Sequence, residues 1–146
     1  MCLTKFLVMF LVEDDPGDQK LVKSALASQE APIELRIVGN AEEALNYLRQ
    51  SQDGNMENPR PSLILLDLNM PGMGGKEFLR CIKADEELND IPVVVLTTSD
   101  SEDDIHECYK LHAAGYIQKP ANIQELKKIM KETVKYWTTN CPYARV

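Results

Sequence analysis

Four cysteines, Cys2, Cys81, Cys108 and Cys141, are scattered through 146 residues, with no Cys-x-x-Cys pair and no histidine at zinc-ligand spacing. That pattern excludes a disulfide-stapled scaffold and a structural zinc site, and the thiols read as reduced cytosolic side chains. Long hydrophobic runs are also lacking. The nearest candidate, Leu3 to Val12, is broken by Thr4 and Lys5 and runs into Glu13-Asp14-Asp15 with no small-residue cleavage site. It falls well short of the roughly 20 residues a bilayer span needs, so it reads as a buried strand in a cytoplasmic protein with no membrane partner. Positive charge is in deficit, with 16 Lys and Arg against 23 Asp and Glu for a net charge of −7. Phosphate backbones repel such a chain, and no nucleic-acid partner is expected. Internal repeats and low-complexity tracts are absent, and neither G-x-x-x-x-G-K-[ST] nor G-x-G-x-x-G occurs.

What remains is an ordinary globular composition, 44% hydrophobic and 27% charged, in a length suited to one domain. We expect a core of about residues 6–138 and a short tail, 139–146. Short apolar runs alternate with helical-period segments, the pattern of an α/β fold with a parallel sheet. The strand candidates are Phe6 to Val12, Leu35 to Val38, Leu63 to Leu66, Val93 to Leu96 and Tyr116 to Gln118. Between them, Leu21, Val22, Ala25 and Leu26 make an apolar helix face after Pro16, a residue suited to a first helical turn. Ala41, Ala44, Leu45 and Leu48 make a second, started by Asn40 and Glu43 in a capping-box-like arrangement. The last helix, expected to be the longest, begins at Asn122 with Glu125 three residues on and carries Ile123, Leu126, Met130, Val134 and Trp137 on one side. Gln52 to Pro61 has turn formers and no periodicity, and reads as a mobile surface loop.

In open α/β sheets the binding crevice lies at the carboxyl ends of the strands. Here those ends are Glu13-Asp14-Asp15, Asp67, Thr97-Thr98-Ser99 and Lys119-Pro120. A single Asp at a helix start is most simply a cap. Asp14, Asp15 and Asp67 converging from two strand ends are another matter, because three close carboxylates cannot all stay ionised without a cation. Oxygen-only ligands favour Mg²⁺, with Mn²⁺ as an alternative. A lone Lys before Pro is ordinarily solvated and a lone Thr after a strand ordinarily bonds locally. Together, Lys119 and Thr97 supply an ammonium and a hydroxyl beside a carboxylate-metal site, which is equipment for holding a phosphoryl group.

These residues, with Leu-Leu-Asp-Leu-Asn-Met-Pro-Gly-Met-Gly-Gly around Asp67, resemble the response-regulator receiver domain of two-component signalling over nearly the whole chain. The resemblance implies a doubly wound, flavodoxin-like five-stranded parallel sheet of order 2-1-3-4-5. It also implies Mg²⁺-dependent transfer of a phosphoryl group from a sensor histidine kinase or phosphotransfer protein to Asp67, with slow self-dephosphorylation and no wider enzymatic activity. Carried over residue by residue, Asp15 and Asp67 ligate the metal together with the backbone carbonyl of Asn69, and Asp14 acts through a bound water. Lys119 pairs with a phosphoryl oxygen, Thr97 turns inward as the switch hydroxyl, and Tyr116 follows as the switch aromatic. Glu13-Asp14-Asp15-Pro16-Gly17-Asp18, Val94 to Ser99 and Tyr136-Trp137 are similar to stand-alone receivers associated with phytochrome-type kinases. Thr98 is bulkier than the residue many receivers carry beside the switch position.

A flavodoxin-like flavin or nucleotide binder shares the strand order, but its phosphate-cradling loop is replaced here by Glu-Asp-Asp-Pro-Gly-Asp. An aspartyl-phosphate phosphatase needs a proton-transferring Asp where Asn69 stands, and an amide cannot fill that role. Ser99 has no G-x-S-x-G context, and His106 and His112 lie in a helical segment, on its surface. The substantive alternative is an interaction module of receiver fold that works without phosphorylation. With no output domain attached, the signal must leave by protein contact, including a homodimer through Tyr136 and Trp137.

Overall fold

The computed structural model describes residues 7–51 and 57–140. Five strands, β1 Leu7–Val12, β2 Ile33–Val38, β3 Leu63–Leu66, β4 Val93–Thr97 and β5 Gly115–Gln118, alternate with α1 Pro16–Ala27, α2 Ala41–Gln50, α3 Gly75–Ala84, α4 Glu102–Lys110 and α5 Ile123–Lys135. All strand pairs are parallel and the sheet order is β2-β1-β3-β4-β5, the order the resemblance implies. The sheet has two apolar faces, each covered by its own helices. Leu7, Met9 and Leu11 pack with Leu63, Leu65, Val94 and Leu96 beneath Val22 and Leu26 of α1 and Leu126 and Met130 of α5. Phe10 and Val12 pack with Ile64, Leu66, Val93 and Val95 beneath α2, α3 and Cys108 of α4. Burial on both faces is why β1, β3 and β4 read as unbroken apolar runs, whereas every residue of the edge strand β2 is only half-buried.

Helix starts follow local chemistry. The side-chain oxygens of Asn40, Ser101 and Asn122 accept from the backbone N–H three residues on, as does that of Asp15 at the head of α1. Each such cap is worth about 1 kcal/mol. At the far end of α4, His112 adopts a left-handed φ of 68°, the backbone that usually ends a helix on glycine.

Several expectations are corrected. β2 starts two residues earlier, at Ile33, and β4 and β5 each gain one residue. Leu21 is 45% exposed, because three buried positions, Val22, Ala25 and Leu26, already fill the contact of α1 with the sheet. α5 is the longest helix, but Trp137 lies beyond it in a π-helical turn, Tyr136–Asn140. The described end of the segment expected to be mobile is anchored: Tyr47 donates to the Pro59 carbonyl (2.8 Å), and Arg60 donates to the Glu87 carbonyl (2.9 Å) and pairs with Asp90. The rest of it, 52–56, lies outside the described residues, as do Cys2, Phe6 and Cys141. Cys81 and Cys108 are free thiols, and His106 and His112 are exposed. Among the described residues no helix is long and apolar enough to cross a membrane.

Candidate functional site

The backbone ladder places three strand ends side by side. Asp67 N–H donates to the Val12 carbonyl (3.1 Å), Glu13 N–H to the Val38 carbonyl (3.0 Å), and Lys119 N–H to the Thr97 carbonyl (2.7 Å). Side chains alternate along a strand, so Glu13 continues the Met9 and Leu11 series and Asp67 the Leu63 and Leu65 series. Both carboxylates therefore leave the sheet on the α1/α5 side, where Asp18 of α1 and Lys119 await them.

The carboxylates that meet are Glu13, Asp14 and Asp67, with ligand oxygens all within 4.8 Å of one another. Asp15 is not among them. Its Oδ2 accepts the Asp18 backbone N–H (2.8 Å) as the cap of α1, and its side chain is exposed. The expected pair Asp14 and Asp15 is thus displaced by one residue, because the strand runs to Glu13 and the helix begins at Pro16, which leaves Asp15 to the cap. Sequence reasoning missed Glu13, although extending the period of β1 by one residue would have placed it. Asn69, two residues past Asp67, has an exposed side chain.

Electrostatically the cluster is crowded with negative charge. Glu13 is 1% exposed, and burial pushes its carboxyl up to about 7 despite the hydrogen bond and charge of Lys119, with neighbouring Asp67 adding to the rise. Lys119 Nζ bonds Glu13 Oε1, reaches Asp18 Oδ2 at 2.9 Å and stands 3.9 Å from Asp67 Oδ1. Burial alone would lower this ammonium, but its bonds to Glu13 and Asp18 outweigh burial and hold it above the ordinary lysine value. One ammonium cannot neutralise Glu13, Asp14, Asp18 and Asp67. Three converging carboxylates and no nitrogen or sulfur donor form a set that can hold a hard divalent cation.

The structure puts Thr97 at the end of β4, fully buried, and its Oγ1 is the one buried side-chain oxygen or nitrogen among the described residues that lacks a hydrogen-bond partner. Such a hydroxyl costs free energy unless something supplies a partner. Tyr116 is half-buried on β5, and its hydroxyl donates to the Ser99 carbonyl (2.9 Å). The glycine at 75 is dictated by the loop that follows Asp67: a Cβ there would press on the Asp67 carbonyl oxygen and come within 2.7 Å of Leu68 Cα.

With that geometry in view, residues 9–131 match the model of the response regulator receiver domain. The chain belongs to the response regulator receiver family. Response regulator Rcp1 of Synechocystis is 43% identical over 131 residues, covering 89% of this chain and 88% of that one. The crystal structure of phosphorylated RcpA, a cyanobacterial phytochrome response regulator, superposes with a TM-score of 0.83 at 44% identity, covering 92% of this chain and 96% of the other. The Mn²⁺-bound form of Rcp1 gives 0.80 at 41% identity, with 90% and 94% covered. This receiver is a signalling protein of the two-component type rather than a classical enzyme, and its acidic cluster fits metal-dependent aspartyl phosphorylation.

Proposed function

We propose that Asp67 is the phosphoacceptor, that it works with a Mg²⁺ ion held by the Glu13, Asp14 and Asp67 group, and that the donor is a histidine kinase or phosphotransfer protein of the phytochrome-associated class. The convergence of three carboxylates with a single buried ammonium carries this reading. Asp67 shares with Glu13 membership of the acidic group and an ion pair with Lys119, and of the two it stands at the end of β3, at the head of the loop that leads to α3. A cation held by Glu13, Asp14 and Asp67 would supply charge neutralisation for phosphoryl oxygens. The chain's own residues do the rest. Asp67 Oδ attacks phosphorus as the imidazole of the donor departs, and Lys119 releases part of its hold on Glu13 and Asp18 to bond a phosphoryl oxygen.

Thr97 Oγ1, buried and unpartnered, donates to another phosphoryl oxygen, and Tyr116 follows into the space it vacates. The backbone carbonyl of Asn69 would be a further ligand to the metal, while Asp15 caps α1. Residues 6–138 act as one receiver unit in the cytoplasm. The signal leaves through the α4, β5 and α5 side, where Tyr109 and Tyr136 are exposed and Tyr136 stacks edge-on against Trp137 at 5.2 Å, and that side also serves a homodimer.

Intact-protein mass spectrometry after incubation with Mg²⁺ and acetyl phosphate tests the chemistry. The expected result is a hydroxylamine-labile gain of one phosphoryl group that is lost with a chelator and in Asp67→Asn. A folded, Mg²⁺-binding protein that gains nothing sinks the proposal in favour of phosphorylation-independent interaction. Light scattering across a concentration series, with and without acetyl phosphate, tests the dimer, and a monomer throughout removes it.

A further inference from the structure

Lys119 follows β5, and its side chain crosses to α1, 101 positions back in the chain. An ammonium carries three N–H donors. Glu13 Oε1 accepts one of them and Asp18 Oδ2, at 2.9 Å, accepts another. Asp67 Oδ1 stands 3.9 Å away, too far for a hydrogen bond. One donor is therefore left over beside the residue proposed to receive the phosphoryl group.

The two acceptors differ in what else they do. Glu13 belongs to the acidic group with Asp14 and Asp67, and a cation there would compete with Lys119 for it. Asp18 is not in that group, and its carboxylate makes no other bond among the described residues. Its place is also fixed. The Asp18 backbone N–H donates to Asp15 Oδ2 (2.8 Å), and next to it Gln19 Nε2 donates to the Glu13 carbonyl (2.6 Å), so the first turn of α1 is bonded to the end of β1. A Cβ at position 17 would come within 3.1 Å of the same Asp15 oxygen, which suits the glycine found there.

We infer that Asp18 is a positioning residue: it anchors the Lys119 ammonium to α1 and so presents the remaining N–H to a phosphoryl group on Asp67. The inference rests on the proposed role of Asp67 and deepens it by naming the group that holds the lysine ready. A lysine side chain has many rotamers, and fixing one beforehand removes that ordering cost from the reacting complex. The Lys119 side chain is only 10% exposed, so water competes little with the anchor. A role for Asp18 through charge alone would have the opposite sign. A carboxylate near the site repels an anionic donor, so deleting it would speed uptake, whereas deleting an anchor slows it.

The test compares wild type with Asp18→Ala, Asp18→Asn, Asp18→Glu, Lys119→Gln and the double variant Asp18→Ala/Lys119→Gln. One readout is the rate of phosphoryl uptake from acetyl phosphate at saturating Mg²⁺. The other is the NMR signal of the Lys119 ammonium in protein carrying isotope-labelled lysine, recorded without Mg²⁺ or donor and identified by its absence in Lys119→Gln.

Asp18→Ala is expected to slow uptake about tenfold, the scale of one charge-assisted hydrogen bond, and to broaden the Lys119 signal through faster exchange with water. Asp18→Asn, an uncharged acceptor, should fall between Asp18→Ala and wild type, and Asp18→Glu should recover part of the loss in both readouts. In the Lys119→Gln background Asp18→Ala should cause no further slowing, because both changes cut one interaction. The inference is overturned if cooperatively folded Asp18→Ala shows unchanged or faster uptake, if its Lys119 signal matches wild type, or if it slows uptake equally in the Lys119→Gln background. Should Asp18→Ala not fold, Asp18→Asn carries the same criteria. A wild type that takes up no phosphoryl group overturns the receiver chemistry and this inference together, a result distinct from a wild type phosphorylated no faster than Asp18→Ala, which overturns the inference alone.

Discussion

Two lysines in this receiver each meet a pair of carboxylates, and the two clusters behave in opposite ways. Lys119 bonds Glu13 and Asp18 at the strand ends, where its side chain is 10% exposed and that of Glu13 is 1% exposed. Lys76 bonds Asp104 and Glu107 between α3 and α4, with 32% and 44% of Lys76 and Glu107 exposed. In the first cluster burial dominates and lifts the Glu13 carboxyl, whereas in the second the hydrogen bonds from Lys76 and Ser99 dominate and pull Asp104 below the usual carboxylate range. Similar charges therefore do different jobs. The buried cluster stores an unfavourable crowding of carboxylates, and the exposed one is a modest tether.

The largest effect is expected from Lys119→Met, which strips Glu13 and Asp67 of the ammonium they share. Removing one partner of a buried pair costs about 3 kcal/mol. Urea unfolding should show that loss near neutral pH and a smaller one in acid, where Glu13 is protonated.

Gly75→Ala comes next. The added methyl meets the backbone of Asp67 and Leu68, and overpacking of this kind costs about 1–3 kcal/mol. Its second signature is slower phosphoryl uptake, since the same loop carries Asp67.

Glu13→Gln sharpens the comparison through pH. A carboxyl raised from 4.5 to about 7 means that the native state holds a proton the unfolded chain has released. Between those values the contribution of Glu13 to stability falls as pH rises. A cation needs the ionised form, so Mg²⁺ affinity, measured by calorimetry, should climb over the same window in wild type. In Glu13→Gln both slopes should flatten, and affinity should be weaker near neutral pH. An unchanged profile would mean that Glu13 is neither raised nor a ligand.

The smallest effect on stability is expected at the exposed tether. Lys76→Met should lower stability by less than about 1 kcal/mol, as exposed pairs do, and less still at high salt. A loss as large as that of Lys119→Met would erase the distinction between the clusters.

Much of this was legible before any fold was known, and the exceptions have a common cause. The apolar runs of β1, β3 and β4 announced a sheet buried on both sides, and Asn40 and Asn122 announced helix starts, because these signals are local. The alternation that points Glu13 inward was also local, yet among three acids in a row the sequence reading took Asp14 and Asp15 as the pair. Only the point at which β1 yields to the cap of α1 separates them. Leu21 shows the same limit, since an apolar residue at helical spacing is buried only if the sheet beneath still has room.

Chain chemistry by itself determined the parallel α/β architecture and the polar strand ends at Glu13-Asp14-Asp15, Asp67, Thr97 and Lys119-Pro120. Tertiary structure alone decided which acids face one another, that Lys119 pairs with a glutamate 106 positions away, and that Lys76 reaches across to α4. The reason is physical: periodicity and capping are set within a few residues, whereas register and crossover bring together side chains whose contact depends on every strand between them.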